Sequence, residues 1–521
     1  GAVMYSSLSS LLVRNTQIIP DKIATQMDER QKSWHEFGAR VKRIAGALKG
    51  EGVRPGDRVG ILAMNSDRYF ELIYAIPWLG AVAVPINIRL APPEISHWIT
   101  DSQMEYLFVD SFFKDTINSL RDKLPLKSVW GLDEQAADKG VDHFAAEGPA
   151  LEDYYSSGDD LAFLMYTGGT TGPSKGVMLS HRNLLSSCMQ ALPTLIDVNW
   201  PEEKRFLRVA PMFHVADMYN GFTQTILGAT HIFLPFFDPK AVLDTLQKER
   251  ATYVMLVPTM LGMMLQLPEF ESTDLRDLKA IGYGASPMPQ AILERAQKIL
   301  PHVEFFQAYG QTEAAPIISV LTAKDHSHPS DPKILRSAGQ VIPGVELQIL
   351  DDEGRSLPEG EVGEICVRGD NVMGGYWHLE DKTAETLRGG WLHTGDGGYL
   401  ENGYLYVVDR VKDMIVSGGE NVYSSEVEQA IYKHPAVEQC AVIGIPSDQW
   451  GEQVHAIVVL KAEQQVAEAD LITHCKAWIA SYKCPRSVEF RKEPLPLSGV
   501  SKVLKNELRK PYWEGRERAV N

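Results

Sequence analysis

Residues Tyr166–Gly176 read YTGGTTGPSKG, and they follow the apolar run Leu161–Met165. The stretch holds four glycines, three threonines, one serine and one lysine. A short apolar run ending in a Gly/Thr loop predicts a buried strand that feeds a phosphate cradle. Glycine lets the backbone come close to phosphate oxygens because no Cβ stands in the way. Threonine hydroxyls and free N–H groups donate to those oxygens, and Lys175 adds positive charge. A Walker loop needs Ser or Thr after its lysine, and Gly176 stands there instead.

Upstream of this loop, helical and strand patterns alternate. Ser6–Lys49 reads as helical, with apolar positions at helical spacing across Phe37–Leu48. Val59–Met64 reads as a strand, Asp67–Leu79 as a helix and Gly80–Pro85 as a buried strand. Pro92–Thr100 is helical and Tyr106–Val109 extended, while 132–160 is acidic and loop-rich. This alternation predicts a parallel α/β layer.

The length of 521 residues calls for two or more domains. The composition is ordinary for a soluble globular chain, with 44% hydrophobic and 23% charged residues. A formal charge of −17 argues against a nucleic-acid partner, whose surface would be basic. The five cysteines include no CxxC pair, so spacing does not point to zinc, and sparse unpaired cysteine fits a reducing compartment. No long apolar core follows Met4, and Tyr74–Ile86, broken by Pro77 and Pro85, is too short to span a bilayer. The expected location is cytoplasmic, with transient membrane contact to collect a greasy substrate. A homodimer is an allowed assembly.

Downstream, Val209–His214 (VAPMFH) reads as an apolar strand ending in an aromatic and a histidine. Ile281–Pro287 and Phe305–Glu313 (FFQAYGQTE) read as strands running into bends, where open parallel sheets bind ligands. There Tyr309 offers a flat face for an adenine ring, Thr312 a hydroxyl for phosphate, and Glu313 a carboxylate for Mg²⁺, which favours hard oxygen ligands. Residues 339–405, with short strands at Val345–Leu350 and Gly363–Val367, read as a small β-subdomain. Asp396, in WLHTGD, is a good acceptor for two ribose hydroxyls. Residues 410–521 read as a compact α+β module ending near PLSGVSKVLK, Pro496–Lys505.

Taken in order, the segments 166–176, 211–214, 307–313, 391–396 with 409–413, and 496–505 resemble the AMP-forming acyl-adenylate superfamily, in particular acyl-CoA synthetases of the fatty-acyl and 4-coumarate type. Tyr482–Arg486 resembles the family's YKxP stretch. The resemblance implies an α/β fold. Residues 4–409 would form a large domain of parallel-type sheets with the β-subdomain, and 410–521 a smaller mobile C-terminal lid. It implies that Thr167, Gly168, Gly169, Thr170, Thr171, Gly172 and Lys175 cradle phosphates. Gly284, Ala285 and Ser286 with Gln307, Ala308 and Tyr309 would line the adenine site, and Asp396 and Arg410 would hold ribose. Lys412 would be the hinge and Lys502 the adenylation lysine, assisted by Thr312, Glu313 and His214. Gly418, Gly419 and Glu420 would meet coenzyme A. Phe213, His214, Met218, Tyr283 and Gly284 would wall the acyl pocket.

The implied activity is ATP-dependent, with Mg²⁺ and coenzyme A, on a hydrophobic monocarboxylate, either fatty or aromatic. His214 stands where amino-acid adenylation domains carry aspartate, which speaks against an α-amino acid. The chain departs from the pattern at three places. Gly168 replaces a common serine, Ser501 a usual glycine, and Val416 a lysine found in some members. Two other outcomes share these motifs. One is transfer of the adenylate to a carrier-protein pantetheine or an oxidation step. The other is a nonenzymatic acyl- or nucleotide-binding protein.

Overall fold

A computed structural model describes residues 7–155, 158–169, 172–284, 288–410, 413–496 and 503–516. Among them the chain forms four sheets. A seven-stranded sheet is built on parallel Val82–Pro85, Arg58–Leu62, Tyr106–Val109 and Ser128–Gly131. Leu161–Gly169 joins it beside Val82–Pro85, then turns back antiparallel as Gly172–Ser180. The second sheet has nine strands. Its centre is parallel, in the order Glu304–Gly310, Ala280–Tyr283, Tyr253–Met255, Arg205–Arg208, Thr230–Phe233. A four-stranded antiparallel sheet spans Glu346–Arg410, and a five-stranded sheet follows it from Met414 to Phe490.

Local signals explain the helices that flank the site. Ser33 accepts the Glu36 amide while Glu36 accepts the Ser33 amide, a reciprocal cap for Trp34–Gly50. Ser180 caps His181–Ala191, so the Gly/Thr hairpin runs directly into a helix. Buried faces of these elements merge into one aromatic-rich core around Trp34, Phe37, Phe70 and Tyr74.

Three sequence expectations are corrected. Ser6–Lys49 is not continuous helix, because strands Ile23–Met27 and Arg30–Ser33 separate Ser9–Ile18 from Trp34–Gly50. Ile23–Met27 pairs in parallel with Thr230–Phe233, a partner some two hundred residues away that local periodicity does not register. Within 132–160, Val141–Glu147 is a helix whose Val141, Phe144 and Ala145 are buried in the core. Val209–His214 is a loop, and the strand before it is Arg205–Arg208. Arginines at both of its ends disguise it. Arg205 donates to the Glu249 carbonyl at 2.7 Å, and buried Arg208 pairs with buried Asp217.

No helix among the described residues is long and apolar enough to cross a membrane. All five cysteines are buried and unbridged.

Candidate active site

A cavity of about 240 Å³ opens where the carboxyl ends of the nine-stranded sheet meet the Gly/Thr hairpin. Its floor follows from strand alternation. Tyr253, Met255 and Val257 face the cavity, while Val254 and Leu256 enter the core behind. On the next strand Gly282 faces it, with Tyr283 and Gly284 at the end, and on the next Phe306, Ala308 and Gly310. The roof is helix Val215–Ile226, whose Ala216, Tyr219 and Asn220 share the inner face at helical spacing.

This geometry divides the expected acyl wall. His214, Tyr283 and Gly284 line the cavity. Phe213 and Met218 do not line it. Both are buried, and Met218 lies on the opposite side of the helix, in the core. The adenine expectation divides for the same reason. Ala308 lines the cavity, while Gln307 and Tyr309 point to the other face of their strand and are buried. The Tyr309 ring is therefore covered in this arrangement, and its hydroxyl instead donates to Asp396 Oδ2 at 2.5 Å. Burial, with the Asp396 charge beside it, holds that phenol well above its ordinary range.

Thr167 and Thr312 reach the cavity between the two sheets. Tyr376, from the short strand paired with Gly172–Ser180, ties the hairpin end together. Its hydroxyl donates to Glu313 Oε2 at 2.8 Å, and Lys175 Nζ lies 5.2 Å over its ring. Glu313 thus presents an oriented carboxylate beside the hairpin lysine, a donor suited to a hard cation. Below Asp396, Glu364 accepts from the Gly395 amide at 3.1 Å, and its other oxygen lies 2.7 Å from His393 Nδ1. Cys366 Sγ lies 3.4 Å from the same nitrogen. His393 and Glu364 brace the WLHTGD turn from within the four-stranded sheet.

Residues beyond 413 close the cavity. The turn of hairpin Met414–Ser417 and Glu420–Tyr423 enters beside the helix roof. His214 Nε2 lies 2.8 and 2.9 Å from the two Glu420 carboxylate oxygens, and Arg89 lies 3.8 Å from one of them. Burial opposes the Glu420 charge, but His214 and Arg89 outweigh it and hold the carboxyl below its usual value. Gly419 sits at φ +82°, where a Cβ would stand 3.0 Å from Val257, so the approach needs glycine. Tyr423 lies 3.2 Å, hydroxyl to hydroxyl, from Thr167.

A second contact is less legible in sequence. Lys483 is buried and donates to Glu94 Oε2 at 2.6 Å and to Glu426 Oε2 at 3.0 Å. Burial opposes its charge, yet Tyr482, Glu426 and Glu94 more than offset this and raise it. Asn87 donates to the Tyr482 hydroxyl at 2.8 Å. The sequence signals for this latch are the Tyr482–Arg486 stretch, which carries no role by itself, and a lysine set between tyrosine and cysteine, an apolar flank unusual for a solvated charge. Thr170, Thr171, Ala285, Ser286, Lys412 and Lys502 lie outside the described residues, as does the Arg410 side chain.

The family model described as AMP-binding enzyme matches residues 13–377, and the one described as AMP-binding enzyme C-terminal domain matches 426–502. The chain belongs to the AMP-binding enzyme family. This AMP-binding enzyme is 38% identical to a feruloyl-CoA synthase from Amycolatopsis sp, over 97% of its own length and 99% of the relative's. It is 36% identical to a long-chain-fatty-acid–CoA ligase of Mycobacterium tuberculosis, over 92% and 93% of the two chains. Among solved structures it is similar to o-succinylbenzoate CoA synthetase from Bacillus subtilis, at 31% identity. A double mutant of that enzyme bound with its product analogue superposes with TM-score 0.83, covering 97% of this chain and 98% of that one. The same synthetase with its acyl-adenylate intermediate gives 0.68, covering 98% and 99%.

Proposed function

We propose that this AMP-forming acid–thiol ligase activates a hydrophobic monocarboxylate with ATP and passes the acyl group to coenzyme A. The observation that carries the reading is the cavity itself. One slot runs from the Gly/Thr hairpin and Thr312 to a wall made mostly of aromatic and aliphatic side chains. The feruloyl and long-chain-fatty-acid ligases among its relatives both act on acids of that character.

A carboxylate is ionised at neutral pH and a poor electrophile, so it must first be activated. Its oxygen attacks the α-phosphorus of ATP, pyrophosphate leaves, and an acyl-adenylate results. Thr167, Thr312 and Lys175 would donate to the phosphate oxygens, where charge builds up. Glu313 would hold Mg²⁺, which supplies charge neutralisation when bound. Asp396, fixed by Tyr309, would take the ribose hydroxyls. In the second half-reaction the thiolate sulfur of coenzyme A attacks the acyl carbon and AMP leaves. Residues 410–521 would act as a lid, with Lys412 as hinge. Lys502 would serve the first step, and Gly418, Gly419 and Glu420 would border the thiol's path in the second. Two observations support reading the present arrangement as the one for the second step. The 414–423 hairpin meets His214, and the superposition is closer on the product-analogue complex than on the adenylate complex.

The test is a panel of carboxylic acids assayed for CoA-dependent AMP formation. Hydrophobic monocarboxylates should be turned over. Malonate should be poor, because a second charge against an apolar wall is costly. A panel led by malonate overturns the pocket reading.

A further inference from the structure

Behind the WLHTGD turn, the four-stranded sheet gathers three ligating atoms of different kinds. Cys366, on strand Gly363–Arg368, stands directly opposite His393, on strand Leu392–Glu401. Residues two apart on a strand share a face, so Glu364 joins them. Ile365, Val367 and Leu392 turn the other way, into the core. The Glu364 carboxylate, the Cys366 sulfur and the His393 imidazole each bring one atom to a common point, all within 4.8 Å of one another. No other such group of three converges among the described residues.

The protons on this trio can be placed. His393 Nε2 lies 3.2 Å from the Arg388 carbonyl, which can only accept, so Nε2 carries a proton. Nδ1 then faces two groups at once, Glu364 Oε1 at 2.7 Å and Cys366 Sγ at 3.4 Å. One proton lies between Nδ1 and the carboxylate oxygen. The fully buried thiol has no other hydrogen-bond partner among the described residues.

The contacts around the trio are those that hold metal ligands in place. A ligating imidazole ordinarily donates its other N–H to a carbonyl or carboxylate, and a ligating carboxylate is itself hydrogen-bonded. Arg388 supplies the carbonyl, and the Gly395 amide donates to Glu364 Oε2 at 3.1 Å. Tetrahedral zinc, with bonds of about 2.0–2.3 Å, sets nitrogen and sulfur about 3.6 Å apart and nitrogen and oxygen about 3.4 Å apart. The sulfur is nearly in place already, and the carboxylate oxygen has to open by about 0.7 Å. One flank gives room for this. The Arg388 guanidinium lies 3.5 Å from Glu364 Oε1, its side chain is 55% exposed, and an ion that takes over its charge frees it to turn into solvent.

We propose that Glu364 Oε1, Cys366 Sγ and His393 Nδ1 bind one zinc ion, with a fourth position open to water. Nitrogen and sulfur donors separate this site from Glu313, an oxygen donor suited to a hard cation. Binding releases two protons, the one shared by Nδ1 and Oε1 and that of the thiol, because the coordinating sulfur is a thiolate. No electron is transferred. The ion fixes Glu364, whose second oxygen holds Gly395 beside Asp396, and so clamps the turn from behind.

Cobalt(II) reports on such a site by colour. A thiolate ligand gives a charge-transfer band in the near ultraviolet, and tetrahedral geometry gives strong visible bands. Tag-free, metal-stripped protein is titrated with cobalt and then with zinc, as wild type, Cys366→Ser, His393→Gln and Glu313→Gln. Wild type should develop both sets of bands, saturating at one cobalt per chain, and one equivalent of zinc should abolish them. Cys366→Ser should lose the charge-transfer band. It and His393→Gln should bind zinc at least about tenfold more weakly in competition with a chelating dye, since loss of even an outer partner costs that much. Glu313→Gln should match wild type. Serine is the smallest change at 366, so the decision rests on that variant even where His393→Gln, which also loses the Arg388 contact, does not fold. Absence of the charge-transfer band in wild type, or its survival in Cys366→Ser, overturns the proposal. So does its loss in Glu313→Gln, which would place the ion at that carboxylate. None of these readouts uses turnover, so the ligase reading stands or falls separately.

Discussion

Asp396 receives the Tyr309 hydroxyl from inside the sheet, so one of its oxygens is fixed before any nucleotide arrives. A charge-assisted hydrogen bond is worth roughly 1.5–3 kcal/mol. Asp396→Ala should therefore weaken ATP binding by about one to two decades in a calorimetric titration, and an unchanged affinity would remove this carboxylate from the proposed ribose site. Residues of this kind were legible as candidates because their chemistry is written in short motifs: Thr167 in the Gly/Thr stretch, Glu313 after Y-G-x-T, Asp396 in WLHTGD. Neighbours whose role depends on which way a strand or helix turns them were not. Gln307 and Ala308 are adjacent in sequence and face opposite sides of one strand. Met218 and Tyr219 are adjacent, and only Tyr219 lines the cavity. Tyr376 belongs to no site by pattern, Lys483 lies in a YKxP stretch that carries no role by itself, and long-range contacts alone give each its place.

Two helices on either side of the site carry a pH dependence. His181, the first residue of His181–Ala191, accepts the Leu8 amide on Nδ1 at 3.1 Å. His326, in Ala323–Ser327, meets the Tyr283 hydroxyl on Nε2 at 2.7 Å and the Thr322 carbonyl on Nδ1 at 2.7 Å. Burial pushes each imidazole down to about 4. In the unfolded chain both titrate near 6.5. Between those values the unfolded state binds more protons, so stability falls as the pH drops. From pH 7 to 5 each histidine should contribute a loss of about 2 kcal/mol. Thermal melting of wild type should decline over that interval, and His181→Asn should decline less steeply. Parallel declines would show that His181 titrates alike in both states. Element positions were legible where sequence and neighbourhood agree, as at Tyr106–Val109. They were illegible where a strand draws its stability from a distant partner, as at Ile23–Met27, or carries charges at its ends, as at Arg205–Arg208.

Across the whole molecule, the contacts made by residues beyond 413 predict how the two half-reactions separate. Lys502 is proposed to act only in adenylation, where loss of one such group costs about two to three decades. Lys502→Ala should abolish most carboxylate-dependent pyrophosphate release. It should still form thioester from synthetic acyl-adenylate and CoA at a rate near wild type. The Lys483 latch predicts the mirror image. Glu94→Gln removes one of its two carboxylates and leaves Glu426. Thioester formation should slow by roughly a decade, with adenylation little changed. Equal damage to both steps in both variants would mean that these residues only stabilise the fold. The cysteines bear on how such measurements can be made. All five are buried, and burial pushes Cys188, Cys366 and Cys484 up to about 12 and Cys475 to about 11. Thiolate is what aromatic disulfide dyes consume, so the native protein should stay colourless toward them. Loss of the free coenzyme thiol can then be read by adding the dye to samples withdrawn from the reaction, with no background from the protein, and a single surface cysteine introduced on the 414–423 hairpin would be the one position in the chain that takes a label.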